Sequence, residues 1–183
     1  AKHYTGGSQV AIQDAVVTKK FSTPTGNFFY IEQADRSSGI RCVGPFDPTE
    51  GHVVDVIGTV QSGDELSLAL TSLVDKGAAA EPIKPVGMPL RSLGGGWEGY
   101  QRGVTGGVGT NTIGLYVKIW GDVEWRMTDN DGNTYYPIND HSVIDPVWCY
   151  SETVTLPDLG FGQATGICSV KGGKPILLMT GNE

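Results

Sequence analysis

The side chains best spaced for chemistry lie in one acidic stretch of the second half of the chain. Asp129, Asp131 and Asn133 alternate as the first three oxygen ligands of a calcium-binding loop do, and Asp140 stands at the loop's twelfth position. Thr134, however, occupies the position where such a loop requires glycine. A hairpin turn explains the same residues, and we favour the turn. Calcium is therefore the only cofactor that the sequence suggests, and the weaker of two interpretations.

A run of aromatic residues, Phe28, Phe29 and Tyr30, could form a binding surface. Aromatic rings stack on bases and on sugar rings, and alternation along a strand would put Phe28 and Tyr30 on one face and Phe29 on the other. Basic residues in the same region could add a small basic patch, namely Lys19, Lys20, Arg36 and Arg41. These residues are the candidate ligand site, although four cations among many acids also fit an ordinary solvated surface.

Three cysteines, Cys42, Cys149 and Cys168, leave two alternatives open. A disulfide between Cys149 and Cys168 would suit a secreted protein and would leave Cys42 unpaired. Alternatively, all three are buried thiols that pack as small apolar residues.

Signals for catalysis are weak, and we predict that the protein is not an enzyme. His3, His52 and His141 share no spacing with other candidate groups, and Ser92 lacks the G-x-S-x-G context of a nucleophile. The net charge is −7, from 13 Lys and Arg against 20 Asp and Glu, which makes nucleic acid an unlikely partner on charge grounds. No apolar run is long enough to span a membrane.

The elements that must position these residues are short β-strands. Alternating apolar residues and frequent turn residues predict strands over 9–18, 28–33, 40–43, 53–60 and 65–73, with a bulge at Asp14. A second set is predicted over 115–125, 134–138, 147–150, 162–170 and 174–180. Five short strands with an excursion after the third indicate a small Greek-key barrel.

The chain also repeats itself. Residues 117–150 align without a gap on residues 10–43, at an offset of 107 (117 minus 10), and Cys149 falls on Cys42. Gly166 is the equivalent of Gly58 in the second repeat. Pro137 stands at the position of Tyr30, and a proline within a strand predicts an edge strand or a bulge. The duplication predicts a first domain over 1–86, a glycine-rich connector over 87–114 that packs against a surface, and a second domain over 115–183.

The first repeat resembles OB-folds of the tRNA-anticodon and helicase type. The resemblance lies in Phe29-Tyr30-Ile31-Glu32-Gln33, in Ile40-Arg41-Cys42 and in the run VDVIGTV at 54–60. The run PVGMPLRSLGGG at 85–96 is similar to a stretch that joins tandem OB-like modules of uncharacterised exported bacterial proteins. These resemblances imply an all-β fold with two small OB-like barrels in tandem, and a location outside the cell or at its surface.

Two functions are compatible with the sequence. The first is a non-catalytic, self-assembling structural protein, the repeating subunit of a surface fibre, whose partners are other copies of itself. Its basis is the low charge, the duplication and barrel edges open to strand addition. The alternative is an OB-fold binding module for a glycan or single-stranded nucleic acid.

Overall fold

The computed structural model describes residues 1–23, 26–151 and 153–182, and their regular structure is almost entirely β-strand. The strands of the first half are β1 (Gln9–Thr23), β2 (Gly26–Gln33), β3 (Gly39–Val43), β4 (His52–Gln61) and β5 (Ser67–Ala78). Those of the second half are β6 (Val86–Gly87), β7 (Tyr116–Val123), β8 (Met127–Thr128), β9 (Thr134–Asn139), β10 (Val147–Tyr150), β11 (Gly160–Lys171) and β12 (Lys174–Asn182). A short 3₁₀ helix, Leu90–Ser92, lies between β6 and β7.

The first five strands close into a barrel in the order β1-β2-β3-β5-β4. The pair β3–β5 is parallel and the other pairs are antiparallel. Inward-facing residues such as Phe29, Ile31, Cys42 and Leu68 fill its centre. This strand order is that of a Greek-key OB barrel.

The second half repeats this order. Strands β7, β11, β12, β10 and β9 are neighbours in one sheet, and a further pairing of β7 with β9 joins the two ends into a ring. Here too one pair, β10–β12, is parallel. The chain is therefore an all-β protein of two OB-like barrels in tandem, as the sequence predicts.

Matching hydrogen-bond registers support the internal duplication. Val10 lies opposite Gly58 in the first barrel, and Val117 lies opposite Gly166 in the second. In each barrel, the pairing between the fourth and fifth strands also shifts register at a bulge directly before this glycine. The two barrels therefore agree in the irregularity of their strands as well as in their order.

Two strand irregularities are predicted from the sequence, a bulge at Asp14 and an edge strand or bulge at Pro137. A register shift lies between Ile12 and Ala15, and Asp14 has a φ of 54°, so the predicted bulge is confirmed. Pro137 is not at an edge, because β9 pairs on both sides. Instead, the pairing on one side of β9 is interrupted, because β7 ends at Val123 and β8 begins only at Met127. The gap lies beside Pro137, which has no N–H to donate.

The connector packs against the barrels. Met88, Leu90 and Leu93 belong to the core of the second barrel. Gln101 is buried against the first barrel, where its Oε1 accepts from Leu66 N at 2.7 Å and its Nε2 donates to Asp64 O at 3.2 Å. The glycine-rich segment thus contacts both barrels and does not act as a loose tether.

Candidate functional site

The predicted aromatic surface is largely covered by the second barrel. Phe28 and Tyr30 share one face of β2, as expected, and that face points out of the first barrel, but only 9% and 0% of their surfaces are exposed. They pack with Ile167 of β11 in a small apolar cluster between the barrels, which we call the seam. Phe29 points inward and belongs to the first core. Neither Phe29 nor Tyr30 is therefore available as an open stacking surface, which corrects the prediction.

The predicted basic patch is also not a free cationic surface. Lys19 donates to Glu50 at 2.9 Å and Lys20 pairs with Asp47. Arg36 spans the seam, since its Nη2 donates to Tyr116 O at 3.0 Å.

Arg36 also pairs with the buried Glu32, and Arg41 stacks on the Phe28 ring with its guanidinium carbon 3.7 Å from the ring centroid. The predicted cations thus stabilise the seam or balance carboxylates.

A cleft of about 950 Å³ opens along the seam, and we call it the seam cleft. The β4–β5 turn of the first barrel forms one wall, with Ser62 and Glu65, and Ser169 and Lys171 of β11 line the opposite wall. Arg41 of β3 also lines it. The cleft exists because the second barrel docks beside the turn that joins β4 to β5.

Glu65 is a polar residue of the seam cleft that bonds to both barrels. Its Oε2 accepts from Tyr30 Oη at 2.8 Å and from Ser169 Oγ at 2.7 Å, so one carboxylate oxygen joins the two barrels. Burial raises the pKa of Glu65, against the opposing effect of these hydrogen bonds and of Arg41. Burial likewise raises the pKa of Tyr30 well above its ordinary value, which keeps its hydroxyl a donor.

A second groove of about 960 Å³, the lysine groove, adjoins the seam cleft. Phe28, Lys171 and Leu178 line both, so the two form one continuous depression between the barrels. Hydroxyl side chains are frequent along the lysine groove, among them Ser22, Thr134, Ser151, Thr153 and Thr180. The depression is therefore polar but rich in uncharged groups.

The second barrel carries its own aromatic cluster at the end of this groove. Tyr135 stacks on Trp148 with ring centroids 4.6 Å apart, and Tyr150 lies 5.5 Å from Tyr135. Lys171 Nζ lies 5.4 Å from the centre of the Tyr150 ring. Tyr150 is partly exposed and lines the lysine groove. Because Pro137 occupies the position of Tyr30, this face differs from its counterpart in the first barrel.

The predicted calcium ligands are not brought together. Asp129 accepts from the backbone N–H groups of Asp131 and Asn133, as in a tight turn, and Lys171 pairs with both Asp129 and Asp131. These interactions, led by the bond from Lys171, hold the pKa of Asp129 well below its usual range.

Asp140 turns elsewhere and accepts from Leu90 N at 2.8 Å. Among the described residues, no three His, Cys, Asp or Glu side chains are grouped to hold a metal. The interpretation as a turn is the one that the structure matches.

Of the two alternatives for the cysteines, the structure shows the second, since Cys42, Cys149 and Cys168 are buried free thiols and no Cys149–Cys168 disulfide is formed. Cys168 Sγ lies 3.6 Å from Thr112 Oγ1, and Cys149 Sγ lies 3.8 Å from Val147 O. Burial raises the pKa of all three, that of Cys168 to about 11. The cysteines serve as small core residues.

Sequence reasoning missed Glu65, Ser169 and Lys171. Each lies next to a predicted turn, where charged and hydroxyl residues are ordinary and give no signal. Only the docking of one barrel on the other brings them together, and the repeat offset does not predict that docking.

The strand order defines the fold as all-β, with two OB-like barrels. No protein-family model matches the chain, and no curated protein matches it. Among solved structures it is similar to a chain described under "Structural mimicry for functional antagonism", at 15% identity and a TM-score of 0.43, covering 96% of this chain and 93% of the other.

Two further likenesses are to DNA-binding proteins. The HINa domain of Ifi202 in complex with 20-bp double-stranded DNA has 14% identity and a TM-score of 0.38, covering 94% of this chain and 91% of that one. A deletion mutant of the single-stranded DNA-binding protein from Thermus aquaticus has 11% identity and a TM-score of 0.26, covering 97% and 94%. At these TM-scores the likenesses carry no inference about what this chain binds. No helix within the described ranges has the length and hydrophobicity to cross a membrane.

Proposed function

We propose that the chain is a non-catalytic OB-fold binding module that holds a neutral glycan in the depression between its two barrels. The observation that carries this proposal is the charge balance of the depression. Lys19, Lys20 and Lys171 each pair with a carboxylate. The other charged lining residues are of both signs, Arg41, Arg126, Glu50, Asp64 and Glu65, and many of the rest are hydroxyl-bearing or apolar.

This balance favours sugars over nucleic acid. Binding to a phosphate backbone depends on cations that neutralise it, and the paired lysines of the groove have little charge left to offer in a chain of net charge −7. Glycan hydroxyls, in contrast, match a lining of hydroxyl and backbone groups, and a partly exposed aromatic ring such as Tyr150 offers a face for a sugar ring.

Titration calorimetry with maltohexaose, cellohexaose and mannohexaose tests the proposal. We expect at least one of them to bind, and Tyr150→Ala to weaken its affinity about tenfold, which corresponds to about 1.4 kcal/mol. Phe161→Ala is the matched control, because Phe161 is an exposed aromatic residue of the same barrel that does not line either groove.

A single-stranded (dT)20 oligonucleotide distinguishes the other ligand class. Salt-dependent binding of this oligonucleotide, with no binding of the three hexasaccharides, would overturn the glycan proposal in favour of nucleic acid.

A second candidate is self-assembly into an extracellular structural protein. It is supported by large apolar side chains that stand open to solvent, with exposed fractions of 98% for Ile144, 78% for Val108 and 71% for Trp97. Size-exclusion chromatography with light scattering and negative-stain microscopy test it. A monomer at every concentration would exclude assembly.

A further inference from the structure

Two buried polar atoms at the seam cleft have no hydrogen-bond partner among the described residues. They are Glu65 Oε1, an acceptor, and Arg41 Nε, a donor. Buried polar groups are nearly always paired, because an unpaired one has lost its hydrogen bonds to water without gaining others. Both residues line the same cleft.

The neighbours of these atoms hold them in place. The Glu65 carboxylate is fixed through its other oxygen by Tyr30 and Ser169. The Arg41 guanidinium is fixed by its stacking on Phe28. One acceptor and one donor of the same cleft are thus held in place by protein contacts, which lowers the entropic cost of binding a matching ligand.

From these observations we infer that the seam cleft is a subsite for two neighbouring hydroxyl groups of one sugar residue, held between Glu65 and Arg41. One hydroxyl donates to Glu65 Oε1, and the next accepts from Arg41 Nε–H. The inference rests on the proposed glycan-binding function and assigns its most specific contact.

A vicinal diol fits because each hydroxyl can both donate and accept. A phosphate group would satisfy Arg41 but would repel the Glu65 carboxylate, and an ammonium group would do the reverse. A neutral polyol satisfies both atoms without bringing a charge into the cleft.

The cleft is also accessible and large enough. Its volume of about 950 Å³ lies within the range of roughly 300–1,000 Å³ that is usual for ligand sites. Arg41 and Glu65 are each partly exposed as residues, and both line the cleft.

Glu65→Gln and Arg41→Lys test the subsite directly. Each keeps most of the side-chain volume, but the first removes the carboxylate and the second removes the Nε donor. The probe is whichever of maltohexaose, cellohexaose and mannohexaose binds the wild-type protein. We expect each variant to bind it about tenfold more weakly, with an unchanged circular dichroism spectrum.

A steric pair of variants covers the case in which these substitutions disturb folding. Ser67→Tyr places a ring on a residue that lines the cleft, and Thr71→Tyr places the same ring further along β5, outside the lining. We expect loss of binding in the first and wild-type binding in the second.

The outcomes separate the two proposals. If the wild-type protein binds none of the hexasaccharides, the proposed function fails and the subsite fails with it. If the wild-type protein binds but Glu65→Gln, Arg41→Lys and Ser67→Tyr bind equally well, only the subsite is overturned, and the glycan must lie in the lysine groove.

Discussion

The Ser169 hydroxyl of the second barrel donates a hydrogen bond of 2.7 Å to Glu65 of the first barrel. Tyr30 donates to the same oxygen from β2. This bond is one of the polar links across the seam, and it fixes the wall of the cleft in which we place the ligand. The two barrels are therefore held together by specific polar contacts as well as by the apolar cluster around Ile167.

Removing the hydroxyl with Ser169→Ala should lower the free energy of unfolding by about 1–2 kcal/mol, because the hydrogen bond is to a buried carboxylate. Urea denaturation measures the change. Ser67→Ala is the control, since the Ser67 hydroxyl makes only a 3.4 Å contact with Gln61 near the surface, and its loss should change stability by less than about 0.5 kcal/mol. Equal effects of the two substitutions would show that the contact across the seam adds nothing.

The buried Glu65 predicts a pH dependence of stability. Burial raises its pKa above the ordinary value of 4.5, so the folded state holds the proton more tightly than the unfolded state does. Its contribution to stability is then greatest below 4.5 and falls as the pH rises through the folded pKa. The difference in unfolding free energy, wild type minus Glu65→Gln, should grow as the pH falls towards 4.5.

Comparing the two proteins at each pH isolates Glu65. Carboxyls with a lowered pKa, such as Asp75, act in the opposite direction, but they are present in both proteins and cancel. A difference that stays flat from pH 7 to 4.5 would contradict the prediction.

The strands and the duplication could be predicted from the sequence because each depends on a local pattern. Alternating apolar residues mark β4 and β7 clearly. Cys42 and Cys149, which the duplication makes equivalent, also lie opposite equivalent residues, Phe29 and Tyr136. The ends were less well predicted: β1 continues to Thr23 and β5 to Ala78, beyond the alternating cores.

The site could not be predicted in the same way, because it depends on how the barrels dock. The sequence shows that Tyr30 shares a face with Phe28, but not which face points outward or that Ile167 will cover it. It also gives no signal that Lys2, in the polar segment before β1, is only 2% exposed to solvent. Its partners lie about a hundred residues away, and a pattern of near neighbours cannot reveal them.

The buried Lys2 side chain joins the start of the described chain to the connector through hydrogen bonds, and we expect its loss to lower stability. Its Nζ donates to Asn111 Oδ1 at 3.1 Å and to Ile113 O at 2.8 Å. Lys2→Met leaves Ile113 O buried without this donor and leaves Asn111 Oδ1 with only its bond from Ile113 N, and thermal unfolding should show a loss of about 2–3 kcal/mol. Lys20→Met, which removes a more exposed lysine from an ion pair, should cost less than about 1 kcal/mol. A larger loss for Lys20→Met would refute this.

The free thiols make a prediction about reactivity. Only the thiolate attacks a thiol reagent, and burial raises the pKa of Cys42, Cys149 and Cys168. The native protein should therefore react slowly with Ellman's reagent, whereas the denatured, unreduced protein should release the full signal of its three cysteines. A signal from one thiol in the denatured, unreduced protein would reveal a disulfide.

The paired glycines of the two barrels give the sharpest test of the duplication. A Cβ at Gly58 would lie 2.5 Å from Ala69 O, and a Cβ at Gly166 would lie 2.1 Å from Leu178 O, so both positions exclude a side chain for the same reason. Gly58→Ala and Gly166→Ala should each destabilise the protein by about 1–3 kcal/mol, because the crowded atoms belong to the backbone and the strands must separate.

Gly181→Ala is the control for both, since a Cβ there meets no atom within 4 Å, and its unfolding midpoint in urea should match the wild type or exceed it slightly. If only one of the two equivalent glycines tolerated alanine, the two bulges would not be structurally equivalent. The shared register of Val10–Gly58 and Val117–Gly166 would then not reflect a shared contribution to stability. Similar losses at both sites would show that the close approach of the fourth and fifth strands is a shared requirement of the two barrels.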